Sequence, residues 1–406
     1  MRIVSGRRLA IVALCGAAGA AVAASPSDDA AVYSRPRDLS PTSLQERRLV
    51  QGLIDVRQGR LDRALDNLTG LVERQPDFGL AQLVYGDLLT ASAGRLAGFG
   101  HHLAEGVLAD YRQEARARID RYLSAPPVES HPDSILRVPE EMPAAIVVDL
   151  DRNRLFLFER RGRHGLVRTR DFYVSIGKGG IDKQREGDEK TPVGVYRVSD
   201  FLPESTLPDM YGDGAFPLDY PNGWDRRRGR SGSGIWIHGT DFDRYSRPPL
   251  SSEGCVTLAN EDFRALMKRI EVGRTPVVVA GGLRWVSRDE AREPLAAIER
   301  AVERWRRDWE SLDTERYLAH YAADFTSGRM SRAAFADHKR RVNRSKNYVR
   351  VEIDGLEAYR YPGERDVILV RFLQRYQSDN FRLTRHKHQY WRRDGGAWRI
   401  VLEEAV

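Results

Sequence analysis

Cys255 lies in the stretch Ser251–Leu258, "SSEGCVTL", and is one of two cysteines in 406 residues. A thiol attacks as thiolate, so it needs a base to take its proton and donors to hold the oxyanion it creates. His238, 17 residues upstream, ends the apolar run Ile235-Trp236-Ile237 and is followed by Gly239. That places an imidazole at the rim of a core, where it can be oriented. Gly254 lets the chain approach a substrate closely, and the amides of Gly254 and Cys255 are natural oxyanion donors. An odd cysteine has two other readings, a dimer disulfide and a buried inert thiol. His164 sits in a charged turn, "RRGRHG", and reads as surface. Glu253 reads as a turn residue. No metal is expected, because one cysteine and scattered histidines match no ligand spacing. His386 and His388 would share one face of a strand, and read as solvated or pocket-lining.

The elements around the pair read as β. "AIVVDLDRNRLFLFERRG" alternates around a turn at Asp151–Arg154 and forms a hairpin. "RTRDFYVSIGKGG" and "DEKTPVGVYRV" add strands, "GIWIHGT" is a short buried strand, and "TPVVVAGG" closes the set. "NEDFRALMKRI" is a helix with Asn260 as its cap. Residues 202–234 form a long loop region, read as a lid or substrate wall carrying Tyr211 and Trp224.

His238-Gly239, a loop, then Ser252-Glu253-Gly254-Cys255-Val256 resembles the L,D-transpeptidase catalytic domain, the YkuD family. Thr191-Pro192 and Gly194 fit its "TPxG" turn, and the likeness spans roughly residues 143–280. The resemblance implies that Cys255 attacks the carbonyl at the L-centre of diaminopimelate in a peptidoglycan stem peptide. D-alanine leaves, a thioester remains, and His238 moves the protons. It implies that the Gly239 carbonyl orients the imidazole, that Ser252 lines the site, and that no cofactor is needed. Trp236 and Tyr211 join Gly254 and Ser252 as candidate substrate contacts. A catalytic thiol is then expected to react below the ordinary value of about 8.5. One departure stands out: the family usually has arginine at the position of Thr257. Arg226, Arg227, Arg228, Arg230, Arg244 and Arg247 are nearby replacements, or a solvated loop surface.

The rest of the chain reads as flanking modules, giving a multidomain fold: helical N-terminal region, mostly-β catalytic domain, α+β cone-fold C-terminal domain. Residues 42–125 are helical. Gly52, Gly59, Ala64 and Pro76 resemble a tetratricopeptide repeat, and an ordinary helical bundle is the other reading. So short a module must pack on a neighbour, or on a second copy in a homodimer. Residues 126–142 read as a linker, and 143–282 as the catalytic domain. Residues 288–406 give helices, then long strands with a turn at Asp394-Gly395-Gly396, and resemble the nuclear transport factor-like (SnoaL-like) cone fold. Tyr376, Tyr390 and Trp391 are candidates for its core or its pocket.

Residues 1–24 read as an export signal, with Arg2, Arg7 and Arg8 before an apolar run containing Cys15, and 25–41 as a polar flexible segment. The expected location is the periplasm. The formal charge of +7 is mild for this length, and no basic run is interleaved with aromatics, which argues against nucleic acid. The expected partners are peptidoglycan stem peptides. Transfer to an amine gives a transpeptidase. Transfer to water gives an L,D-carboxypeptidase, a trimming reaction that the resemblance links to cell shape when a cone-fold domain follows. Release of a wall-linked protein, or a non-catalytic wall-binding scaffold, completes the alternatives.

Overall fold

The computed structural model describes residues 43–406, except 96, 97, 128, 163, 164, 329 and 365. The readings of 1–24, of Cys15, of 25–41 and of His164 lie outside the described residues. No described helix is long and apolar enough to cross a membrane.

Four helices open the fold: α1 (Leu44–Arg57), α2 (Leu61–Val72), α3 (Gly79–Ser92) and α4 (Glu105–Leu123). Ser43 caps α1 through the Glu46 amide. Gly52 lets α1 and α2 come together: a Cβ there would lie 3.0 Å from Leu68 Cγ. The helices share a core of Leu49, Leu53, Leu68, Phe78 and Ala115, which also takes in Tyr245 and Ala259 of the next domain. The neighbour they pack on is therefore the same chain.

That junction is ionic as well as apolar. Arg118 donates to Glu114 Oε1 at 2.9 Å and also bonds Glu46. Arg154 reaches Glu46 at 2.9 Å and Asp171 at 2.6 Å, and Arg121 holds the other Asp171 oxygen at 2.6 Å. Every member is buried, so each charge is matched where water is excluded.

The central domain holds a five-stranded sheet in the order 166–173, 154–160, 144–149, 276–280, 194–197. Strands Ala144–Asp149 and Pro276–Ala280 run parallel and are buried along their whole length. Parallel pairs need cover on both faces, and both faces have it. Ile146, Val148, Val277 and Val279 point into the catalytic-domain core. Ala145, Val147, Val278 and Ala280 point the other way, onto Tyr359, Leu369, Tyr390 and Val401 of the C-terminal sheet. Each large apolar side chain buried there contributes roughly 1.5–3 kcal/mol. An apolar core of that kind fixes two domains relative to one another.

The C-terminal part is a seven-stranded sheet in the order 330–331, 321–327, 397–405, 382–394, 367–378, 349–360, 135–137. Helix Arg288–Glu310 lays Trp305 and Trp309 into the same core as Phe372 and Trp391. Its first turn is fixed by a capping box between Ser287 and Glu290. The stretch read as a linker is part of the fold. His131–Pro132 pairs with Trp285–Val286, and Ile135–Arg137 joins the edge of the C-terminal sheet. Alternation too short to register as a strand hid both.

Candidate active site

A second, four-stranded sheet positions the chemistry, in the order 256–257, 236–238, 214–217, 202–203. Strand Trp236–His238 lies parallel to Val256–Thr257, with Ile237 opposite Val256 and His238 opposite Thr257. Cys255, one residue earlier, is thereby level with Trp236. Seventeen residues of loop close into one constellation because two short strands pair side by side.

Gly254 makes the turn. Its φ is +121°, a region that glycine adopts without strain, and a Cβ would stand 2.8 Å from the Lys190 carbonyl. Ser252 does not offer its hydroxyl to the cleft. Buried, it donates to Cys255 O at 2.6 Å and accepts the Gly254 amide at 3.2 Å. The Gly254 amide is thus occupied within the turn. The Cys255 amide has no hydrogen-bond partner among the described residues, and is the donor left for an oxyanion. Glu253 is exposed and pairs loosely with Lys178 at 3.8 Å, in keeping with a turn residue.

The imidazole is held on three sides. Nδ1 lies 2.6 Å from Gly239 O, which can only accept, so Nδ1 carries the proton and Nε2 the lone pair. Thr257 Oγ1 lies 3.2 Å from Nε2. Tyr211 packs edge-on at 4.9 Å between ring centres, and at 5.0 Å against Trp236. Tyr211 and Trp236 therefore form one wall of the site. Trp224 does not belong to it: its ring stacks on Tyr390 at 5.4 Å, in the seam with the C-terminal domain.

Burial sets the charges. It lowers His238 to about 3, with Arg247 adding to the effect and the Gly239 carbonyl and Asp241 opposing it. It raises the Cys255 thiol to about 11, against the Trp236 amide and Arg247, which favour thiolate. The thiol is partly exposed at the cleft, yet the protein displaces most of the water around it. Cys255 Sγ donates to Gly234 O at 3.3 Å. Burial thus works against the acidic thiol that the family resemblance leads one to expect. Among the described residues no cation bonds the sulfur, and Arg247 and Lys183 act on it only through space, so these shifts favour neutral thiol and neutral imidazole at rest.

Of the six arginines, only Arg247 acts on both Cys255 and His238. It is anchored to Thr240 Oγ1 at 2.9 Å, Met210 O at 2.6 Å and Asp241 at 2.9 Å. Arg226, Arg227 and Arg228 pair with Glu404, Asp324 and Glu364 of the C-terminal domain. Arg230 pairs with Asp225 and Asp182, and Arg244 with Asp241 and Asp243.

Asn260 was expected as a helix cap. The cap position of Asn260–Met267 is instead Ala259. The Asn260 amide group joins two site loops: Oδ1 accepts from Thr240 at 3.1 Å and Asp213 at 3.3 Å, and Nδ2 donates to Thr240 O at 2.8 Å. A Cβ on Gly239 would collide with Asn260 Oδ1, so the residue after the histidine has to be this small. Sequence reasoning missed both Asn260 and Arg247 as organisers. The polar run after the histidine, "HGTDFDRYSR", was the available signal.

Away from the site, Tyr390 and Trp391 are fully buried core and Tyr376 nearly so. Lys387 and Gln389 both donate to Glu403 at 2.8 Å inside the C-terminal sheet, and Lys339 sits 4.4 Å from the centre of the Trp309 ring. His388 faces Arg371 and Arg197, whose charges repel a cation. Asp87, His101 and His102 bring three donor atoms within 4.8 Å, but the Asp87 carboxylate already anchors its loop through the Gly100 amide at 2.8 Å.

Two family models match the chain. One is the L,D-transpeptidase catalytic domain (YkuD), over residues 143–279. The other is the Cds6 C-terminal NTF2-like domain, over residues 297–404. Among solved structures, Bd1075 of Bdellovibrio bacteriovorus is 30% identical, with a TM-score of 0.60 over 68% of this chain and 98% of that one. Pgp2 from Campylobacter jejuni, described as a helical cell shape determining protein, is 24% identical, with a TM-score of 0.57 over 67% of this chain and 95% of that one. No curated protein matches.

Proposed function

The chain belongs to the L,D-transpeptidase (YkuD) family, with an NTF2-like domain after the catalytic one, and from that premise we propose that it trims peptidoglycan stem peptides through a Cys255 thioester. The family acts on stem peptides, and the substrate proposed here is the tetrapeptide. Cys255 attacks the L-centre carbonyl of diaminopimelate while its proton passes to His238 Nε2. The Cys255 amide stabilises the oxyanion. The same proton then goes to the departing D-alanine nitrogen, and water, activated by His238, resolves the thioester.

The observation that carries this reading is the His238 clamp. One imidazole nitrogen is fixed by the Gly239 carbonyl at 2.6 Å, leaving the other as a base on the strand that pairs with the Cys255 turn. Tyr211 and Trp236 provide the wall beside it. Arg247 provides a cation for a substrate carboxylate, the role that Thr257 cannot take.

Water is favoured over an amine acceptor because of the layout. The fold likeness takes in 67% of this chain and nearly all of Pgp2, whose description concerns cell shape. A role in shaping the wall fits trimming better than added cross-links. The work would be done in the periplasm, a reading supported by Arg2, Arg7, Arg8 and the apolar run after them.

The test is a digest of purified tetrapeptide muropeptides with and without an acceptor amine, read by mass spectrometry. Tripeptide plus D-alanine, indifferent to acceptor, is expected. Cross-linked dimers or amine adducts would make the enzyme a transpeptidase instead.

A further inference from the structure

Thr257 draws attention because it touches the base. His238 and Thr257 are register partners across the parallel pair, and both are 2% exposed. Since Nδ1 carries the proton that Gly239 O accepts, the Thr257 hydroxyl at 3.2 Å is the donor and Nε2 the acceptor. Thr257 also follows Cys255 by two residues on an extended segment. Cys255 stands opposite Trp236 and Thr257 opposite His238 in this register, so the thiol and the hydroxyl belong to the same face of the strand pair as the imidazole.

We propose that Thr257 is a positioning residue for proton transfer, holding His238 Nε2 toward the nucleophile in both of its protonation states. This rests on the acyl-enzyme reading above only for the identity of the substrate. Before attack the hydroxyl donates to the Nε2 lone pair. In the attack the hydroxyl swings off the Nε2 lone pair, the S–H proton moves to Nε2 in its place, the sulfur electron pair forms the bond to carbon, and the carbonyl electrons move to oxygen. The imidazolium now has a proton on Nε2, and the hydroxyl turns to accept it. When the tetrahedral centre collapses, the C–N bond breaks and the Nε2 proton goes to the D-alanine nitrogen.

A hydroxyl alone among small side chains serves both states, being donor and acceptor. Arginine at this position would only donate, and would place a second cation beside the one at Arg247. Valine would fill the space and bond neither form. The charged and titratable groups that act on the ring are Arg247 and Asp241 from the loop after it and Tyr211 from the wall, and Tyr211 in turn feels Cys255 from the turn. None of these bonds Nε2 among the described residues.

The experiment compares Thr257→Val and Thr257→Ser in the whole chain, by D-alanine release from tetrapeptide muropeptide, by alkylation of Cys255 with iodoacetamide near neutral pH, and by Tm. Thr257→Val should lower kcat about ten-fold, as partial loss of general-base catalysis predicts, with KM within about two-fold and Tm lowered no further than the loss of one buried hydrogen bond brings. It should slow alkylation several-fold. Thr257→Ser, which keeps the hydroxyl, should stay close to the parent in all three. A valine variant with the parent kcat and alkylation rate, or a serine variant as slow as valine, overturns the proposal. If the parent releases no D-alanine, the proposed function fails. Alkylation then decides Thr257 alone: slower in valine than in serine sustains the role, and equal rates remove it.

Discussion

Ser246 donates its hydroxyl to Glu114 Oε1 at 2.7 Å, tying helix α4 to the loop that carries Arg247. The same loop is gripped twice more. The Tyr245 ring stacks on Phe78 at 4.3 Å, and the Tyr245 amide bonds Asp77 O at 3.1 Å. The N-terminal helices thus brace the segment between the base and the nucleophile, and the network around Arg118 fastens the brace.

Removing Arg118 should show this. Arg118→Ala would leave Glu46 and Glu114 without their shared guanidinium and strip a cation from 3.9 Å above the Tyr173 ring. Breaking a buried pair from one side typically costs about 3–5 kcal/mol. Denaturant unfolding is expected to show a loss of that size, with a fall in activity as the 240–250 loop loosens.

Asp262 gives stability a pH dependence with a definite sign. Burial, reinforced by the Glu46 carboxylate, raises it to about 7. A carboxyl whose folded value lies above its unfolded one favours the fold at acid pH, and that contribution is lost as pH rises to about 7. Asp262→Asn should therefore stabilise the protein by roughly 1–4 kcal/mol at about pH 8 and change little at about pH 4. Tm measured at both values checks it; an equal shift at both would contradict the assignment.

The neutral pair predicts its own pH behaviour. With Cys255 near 11 and His238 near 3, base and thiol are both in their working forms across neutral pH. Alkylation of Cys255 should keep rising past pH about 8.5, where an ordinary thiol levels off. Arg247→Gln removes a cation that disfavours imidazolium and favours thiolate, so it should move both groups upward. Alkylation at neutral pH should slow in that variant. A plateau below pH about 8 in the parent would mean a preformed ion pair instead.

Asn260→Ala tests how the loops are held. It deletes the three bonds that join Thr240 and Asp213 and leaves buried backbone groups unpaired, at about 1–3 kcal/mol. Activity is expected to fall more than stability does, because the bonded residues, Thr240 and Asp213, adjoin Gly239 and the segment that carries Tyr211. Equal activity in the variant would make Asn260 a loop ornament only.

Much of this site could be read from residue types. A lone cysteine in a glycine turn and a histidine ending an apolar strand have few joint explanations, and the structure brings their strands together. The helical, β and α+β layout was legible from periodicity. What the chain could not reveal by local pattern was pairing at a distance. Ile135–Arg137 is three residues long and becomes a strand only beside 349–360. Ser252 and Asn260 have the right chemistry for one role and take another, because their partners, Cys255 O and Thr240, are set by the fold. Thr257 read as a loss because its partner lies 19 residues away. The upward push on the thiol was hidden for the same reason: burial is a property of the packed state.

The most direct measurement is D-alanine release from disaccharide tetrapeptide by the parent and by Cys255→Ala. The account predicts release by the parent, with tripeptide in equal amount, and none by the variant. Release that survives the loss of Cys255, or no release by a folded parent, would contradict it.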